Sequence, residues 1–249
     1  MPELSRALRD VLDEGPLRSD VSEVLRPYVV SRSAAPPPAG LATVAAMFVS
    51  FEGIDGAGKS TQARMLAEAL GERALLLREP GGTPAGERIR EILKDPALEL
   101  TPRAELMLFL AARGELVETV IRPALAAGRI VICDRFMDST VAYQGAARGL
   151  GTEMVAALNA IAVDGCVPDR TVLLRLDAGV ASGRGEQRGD YGADRFEREG
   201  DAFQSVIAGA FEALAAAEPE RFAVIDAAGR PDEIHSHVLE ALSLGDGQD

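Results

Sequence analysis

Cysteine is nearly absent from this chain of 249 residues: Cys133 and Cys166 stand far apart, with no CxxC pair between them. That excludes a disulfide framework and a thiolate zinc site, and fits a reducing cytoplasm. Long apolar runs are missing as well. The best window, Leu41–Phe51, spans about half of the roughly 20 residues a bilayer requires, so no membrane partner is expected. Residues 1–10 carry charges where a secretory leader needs an apolar centre. There is no basic excess: 26 Lys and Arg face 39 Asp and Glu, a formal net charge of −13. A surface of that sign repels a nucleic acid polymer but leaves room for a small anion in a local basic pocket. Histidine is limited to His235 and His237, two apart on an expected helix. They point to different faces and make a poor metal pair.

What is present is a globular composition, 47% apolar and 26% charged, in a chain long enough for one large domain. Residues 1–46 read as an extension of unknown role. Short amphipathic stretches there lead into the Pro-rich run Ser31–Gly40, an extended linker because proline fixes φ and removes a donor. Met47 is the expected start of the working domain, 47–249. From there β-rich runs alternate with helical spacing. Strands are expected at Met47–Glu52, Ala74–Arg78, Ile130–Cys133, Thr171–Leu176 and Phe222–Ile225, with helices near 59–70, 84–94, 102–127, 138–163, 195–217 and 231–242. Alternation of this kind predicts an α/β fold, a five-stranded parallel sheet flanked by helices.

The first strand runs into Gly53-Ile54-Asp55-Gly56-Ala57-Gly58-Lys59-Ser60, followed by Thr61 and an Ala/Leu-rich helix. This is G-x-x-x-x-G-K-[ST] between a strand and a helix, the context that gives the motif its meaning. Its glycines let backbone N–H groups curl around a phosphate at a helix N-terminus. Lys59 would reach the outer phosphates of ATP, and Ser60 would ligate Mg²⁺. Asp134, at the carboxyl end of the third strand, would hold Mg²⁺ through water or orient Lys59. A GTPase-like switch needs an Asn-Lys-x-Asp segment to read guanine. The single asparagine, Asn159, is followed by Ala-Ile-Ala, which excludes that class. A nucleotide-binding regulator without turnover would need no acceptor pocket and no arginine segment, and both are expected here.

Four further blocks fall in order: Arg78-Glu79-Pro80-Gly81-Gly82-Thr83-Pro84, Leu106–Arg113, Asp134-Arg135-Phe136 with Ser139, and Ala142-Tyr143-Gln144-Gly145. With Phe51-Glu52-Gly53 through Thr61, they resemble bacterial thymidylate kinase over roughly residues 47–242. The resemblance implies a P-loop nucleoside-monophosphate kinase that transfers the γ-phosphoryl group of ATP to dTMP with Mg²⁺ on the route to dTTP, usually as a homodimer. It implies that Phe109 stacks on the pyrimidine and Arg113 meets a carbonyl. Phe109 and Arg113 lie four apart and so share a helix face. Thr140 and Gln144 fall where relatives bind the thymine edge, and Tyr143 where they crowd the 2′ position. Arg90 and Arg135 fall at phosphate-binding positions, with Ser139 beside them. Asp55 falls where a carboxylate meets the acceptor's 3′-hydroxyl or phosphate, and Pro80 where a cis bond would bend Arg78-Glu79 toward the acceptor.

Phosphoryl transfer spreads negative charge over the moving group, so cations and positioning supply most of the catalysis. Some relatives place an arginine inside the phosphate loop; here Gly56 stands there. The segment 181–197, with Arg184, Arg188, Arg195 and interspersed glycines, is expected to act as an arginine lid closing over ATP. It is richer in glycine than the compact, helical lids of relatives. Arg188 and Arg195 are the leading candidates to touch the transferred phosphate, and Arg184 to touch ATP. No general base is required, because the acceptor phosphate is already ionised near neutral pH. A related kinase accepting dUMP or another pyrimidine monophosphate is the nearest alternative. Asp226-Ala-Ala-Gly229 reads as a loop near the adenine.

Overall fold

The structure, a computed structural model, describes residues 45–177, 179–181 and 200–244. The linker expected at 31–40 and nearly all of the expected lid, with Arg184, Arg188 and Arg195, lie outside the described residues.

Five strands form one all-parallel sheet: β1 (Met47–Glu52), β2 (Ala74–Arg78), β3 (Ile130–Asp134), β4 (Arg170–Arg175) and β5 (Phe222–Asp226), in the order β2-β3-β1-β4-β5. The strands expected from sequence shift by one residue at most. Side chains alternate between faces, so β1, β2 and β3 each feed two cores. Val49, Phe51, Ile130 and Ile132 join α1 (Lys59–Leu70) and the helices beyond β4 on one side. Phe48, Leu75, Leu77, Val131 and Cys133 pack on the other side against Leu116, Val120 and Ile121 of the next long helix. Each fully buried chain of this size contributes about 1.5–3 kcal/mol of transfer free energy. Both Cys133 and Cys166 are buried thiols and behave as small apolar residues.

The helices on the acceptor side are α2 (Pro84–Lys94) and α3 (Pro102–Leu116). Each begins with a threonine, Thr83 or Thr101, whose hydroxyl accepts a first-turn N–H, followed by proline. A π-helical stretch, Val117–Ile121, continues α3 into α4 (Arg122–Ala126).

The single run expected over 138–163 is in fact broken. It consists of α5 (Met137–Thr140), a π-helical stretch Val141–Ala147, and α6 (Thr152–Val163). Gly149 (φ +73°) and Gly151 (φ +93°) take left-handed conformations that end the first piece, which apolar spacing alone could not reveal. Helices α7 (Asp201–Ala217) and α8 (Pro231–Ala241) complete the layers.

In this strand order the chain leaves β1 toward β2 and leaves β3 in the opposite direction toward β4. The crevice between their carboxyl ends is the topological switch point, where open parallel sheets bind ligands. Phe51 pairs with Asp134 in the register, so the loops after β1 and β3 open side by side.

Candidate active site

The loop after β1 wraps through three left-handed glycines, Gly53 (φ +140°), Gly56 (+80°) and Gly58 (+95°). Two of them also lack space for a side chain. A Cβ on Gly53 would stand 2.6 Å from the Leu174 carbonyl oxygen, and one on Gly56 would stand 2.6 Å from that of Ala181. Gly58 caps α1 with backbone alone: no side chain occupies the helix N-terminus and no acid lies in its first turn. Those N–H groups and the positive end of the helix are left for an anion. Within the loop, Ile54 and Ala57 are buried and hold the turn, the Ala57 N–H donating to the Ile54 carbonyl at 3.3 Å.

Lys59 folds back and donates to the Ile54 carbonyl at 2.6 Å. Burial and then the cationic Arg135 push its ammonium down to about 8, against the pull of Asp55, Asp134 and Glu52. The Ser60 hydroxyl donates to Asp134 at 2.5 Å. Asp134 therefore accepts from Ser60 and acts on Lys59 through its charge. Thr61, one residue on, is half-buried on α1.

A second set of contacts joins the two loops. Arg135, at φ +69°, directs its guanidinium to the Asp55 carboxylate, and also donates to Ser139 Oγ at 3.1 Å. It stacks 5.0 Å from the centre of the Tyr143 ring, whose hydroxyl donates to Asp55 at 3.0 Å. Burial works against an ionised Asp55, but Arg135 and Lys59, with bonds from Tyr143 and Gln204, outweigh it and hold the carboxyl below its usual range. Behind this pair lies Glu52, fully buried, accepting the Phe136 N–H at 2.8 Å and the Ser139 hydroxyl at 2.5 Å. Burial, and next the neighbouring Asp138, push its carboxyl up to about 8.

A third cluster lies beyond Arg135. Arg113 of α3, 1% exposed, forms a two-oxygen ion pair with Glu79, Nε at 3.0 Å and Nη2 at 2.5 Å from the same Oε2 and Nε at 3.2 Å from Oε1. Burial pushes the Glu79 carboxyl up despite the arginine. Arg113 also donates to Thr140 Oγ1 at 2.9 Å and to Asn159 Oδ1 at 2.5 Å, and lies over the Phe136 ring. The Glu79–Pro80 peptide is cis, and the Pro80 carbonyl accepts from Arg90 at 2.9 Å. Phe109, one turn before Arg113, is half-buried. Gln144 is buried and donates to Glu105 at 2.8 Å, a carboxylate that Arg148 also reaches.

The structure thus brings Asp55, Lys59, Ser60, Asp134, Arg135, Ser139 and Tyr143 together, and sets Glu79, Arg113 and Thr140 beside them. Gln144 donates to Glu105 at the edge of this cluster. Sequence reasoning missed Gln204 and Asn159, and gave Glu52 no role. Gln204 donates to Asp55 at 3.3 Å, while its Oε1 is buried without a partner among the described residues. Its only signal is a polar residue following Phe203 in a mostly apolar helix. Glu52 has a clearer one, a carboxylate closing a buried strand.

The family model described as thymidylate kinase matches residues 51–238. A thymidylate kinase of Rhizorhabdus wittichii is 46% identical over 200 residues, 79% of this chain and 96% of the relative. One from Solidesulfovibrio magneticus is 50% identical over 197 residues, 76% and 94% of the two chains. The crystal structure of thymidylate kinase from Ehrlichia chaffeensis superposes with a TM-score of 0.65 at 33% identity, covering 80% of this chain and 99% of that one. The chain belongs to the thymidylate kinase family.

Proposed function

We propose that the two halves of the site divide one reaction between them. A chain of this family transfers the γ-phosphoryl group of ATP to dTMP, giving dTDP and ADP. In our reading the loop 53–61 holds the ATP phosphates through backbone N–H groups and Lys59, while Glu79, Pro80, Arg90, Phe109, Arg113, Arg135, Ser139, Thr140, Tyr143 and Gln144 hold dTMP. A dTMP phosphate oxygen forms the new bond to Pγ as the bond from Pγ to the β-bridging oxygen breaks, and ADP leaves. The acceptor is already an anion, so no side chain has to remove a proton. Arg135 and Asp55 stand at the junction of the two halves, where the acceptor phosphate and its sugar must sit for that line of attack. This juxtaposition is the observation that carries the proposal.

Ser60 and Asp134 suit Mg²⁺. A hydroxyl and one carboxylate, 2.5 Å apart, are the hard oxygen donors the ion takes when nucleotide phosphates supply the rest. When bound, Mg²⁺ neutralises charge on the transferring phosphates. The chain's own contribution there is to hold the Ser60 hydroxyl against Asp134 beside Lys59. Gly56 leaves no arginine in the loop, and a Cβ there would strike Ala181. We therefore assign the remaining positive charge to Arg184, Arg188 and Arg195.

Exposed apolar side chains line α3 and α6: Met107 at 53%, Met154 at 44% and Ile161 at 77% exposure. The two helices approach closely where a Cβ on Gly114 would lie 3.6 Å from the Ala162 carbonyl oxygen. We propose this face as the contact of a homodimer, in a cytoplasmic enzyme. No helix among the described residues is long and apolar enough to cross a membrane.

The test is anion-exchange separation of products after incubation with ATP and dTMP, with Mg²⁺ and with EDTA. The expected result is stoichiometric dTDP and ADP with Mg²⁺ and neither with EDTA. Tight ATP binding with no dTDP under either condition would make the protein a nucleotide-binding regulator.

A further inference from the structure

Arg113 is held from three sides before any ligand arrives. A guanidinium has five N–H donors in a fixed fork. Here Nε faces Glu79, Nη2 divides its two between Glu79 and Thr140, and one on Nη1 goes to Asn159. One Nη1 N–H remains without an acceptor among the described residues. Asn159, fully buried on α6, is fixed in turn, because its Nδ2 donates to the Met137 carbonyl at 2.9 Å. That bond settles the side chain's orientation: with Nδ2 committed to a carbonyl, Oδ1 must be the atom that faces Nη1. Without Asn159 the Nη1 end of the fork would lose its one acceptor among the described residues, and the guanidinium would be held from the Glu79 and Thr140 side alone.

The geometry points to Asn159 as a positioning residue that sets base specificity through Arg113, fixing the fork so that its one uncommitted N–H is left for a pyrimidine carbonyl. This rests on the reading of Arg113 as the group that meets the base. The chemistry of the choice is direct. Thymine presents a carbonyl oxygen at position 4, where cytosine presents an amino group. A fixed N–H donor accepts the first and opposes the second. A loosely held fork tolerates both, since it can swing its donors away.

The experiment compares kcat/KM for dTMP with kcat/KM for dCMP on the same preparation of the full chain, for wild type, Asn159→Ala, Asn159→Asp and Arg113→Ala. The ratio does not depend on the folded fraction, so partial unfolding of a variant leaves it readable. Asn159→Ala is expected to lower the ratio about tenfold, the factor corresponding to one buried charge-assisted hydrogen bond, through KM for dTMP with kcat little changed. Asn159→Asp keeps an acceptor for Nη1 while losing the bond to Met137, and is expected to hold the ratio within about threefold. An unchanged ratio in Asn159→Ala, or an equal fall in both Asn159 variants, would overturn the proposal, the second result in favour of a packing role through Met137. Arg113→Ala separates the two levels. If it lowers the ratio while Asn159→Ala does not, only the role of Asn159 fails. If it leaves the ratio unchanged, the reading of Arg113 at the base fails too.

Discussion

The phosphate loop and the Arg113 pocket lie side by side and are built on opposite principles. The loop works through backbone: three left-handed glycines, an uncapped helix start, and two side chains, Lys59 and Ser60, that project from it. The pocket works through buried side chains drawn from four elements: Glu79 after β2, Arg113 on α3, Thr140 on α5 and Asn159 on α6. Backbone amides grip any phosphate, so in our proposal the first half binds a group common to all nucleotides. Side-chain donors and acceptors distinguish one base from another, so the same proposal gives the second half the choice of acceptor. A buried network also ties its function to stability, since each member is costly to leave unpaired.

That contrast is broken most readily at Arg113. Arg113→Ala strands the Glu79 carboxylate in the core, and a loss of about 3–5 kcal/mol in urea unfolding is expected. If stability stays within about 1 kcal/mol of wild type, the pocket is not the interlocked network described here. Lys59→Ala should show the opposite pattern. Turnover is expected to fall on the order of 10²–10³-fold, as when one preorganised transition-state donor is removed, and the loss should be equal for every acceptor. A similar collapse in stability would show that the loop, too, is held by side chains.

Glu52 lies behind the seam between the halves, and its titration reports on the burial there. Its carboxyl is raised to about 8 in the folded chain from an ordinary value of 4.5. Between those values the native state holds a proton that the unfolded state has released, so this group lowers stability as pH rises from 4.5 to 8. Lys59, lowered to about 8 from 10.5, has the reverse slope and acts only above pH 8. In urea titrations the stability of Glu52→Gln relative to wild type should therefore grow across the lower window and level off above it. The slope is at most about 1.4 kcal/mol per pH unit. A difference independent of pH would mean that Glu52 is ionised throughout. The smallest effect is expected from Tyr143→Phe, which removes one of the bonds to Asp55 and leaves Arg135 in place. A loss of about 0.5–1.5 kcal/mol in kcat/KM for dTMP corresponds to a few-fold to roughly tenfold change in steady-state assays.

The same division governed what the sequence made legible. The loop was readable from residues alone, because a motif made of glycines states its backbone conformation outright. The strands were readable too, since two-sided burial in a parallel sheet leaves near-continuous apolar runs such as Ile130–Cys133. The pocket was reached only by resemblance, and even then incompletely. Arg113 was found, but Asn159 lies 46 residues away on another helix, and no local spacing links the two. Gln144, expected at the base, donates to Glu105, a contact that no local spacing announces. The π-helical stretch Val141–Ala147 that carries Tyr143 and Gln144 has no sequence signature distinct from an α-helix. The break after it had a signal, the pair Gly149 and Gly151, but apolar spacing on either side made one helix the simpler expectation.

The most direct test of the division between the halves is the ratio of kcat/KM for dTMP to that for dCMP in Lys59→Ala and in Arg113→Lys, which keeps the charge but loses the planar fork. A ratio near wild type in the first, despite its slow turnover, and a ratio reduced about tenfold or more in the second is the predicted result. A ratio that shifts with Lys59, or survives Arg113→Lys, would contradict the assignment of acceptor choice to the buried side-chain network.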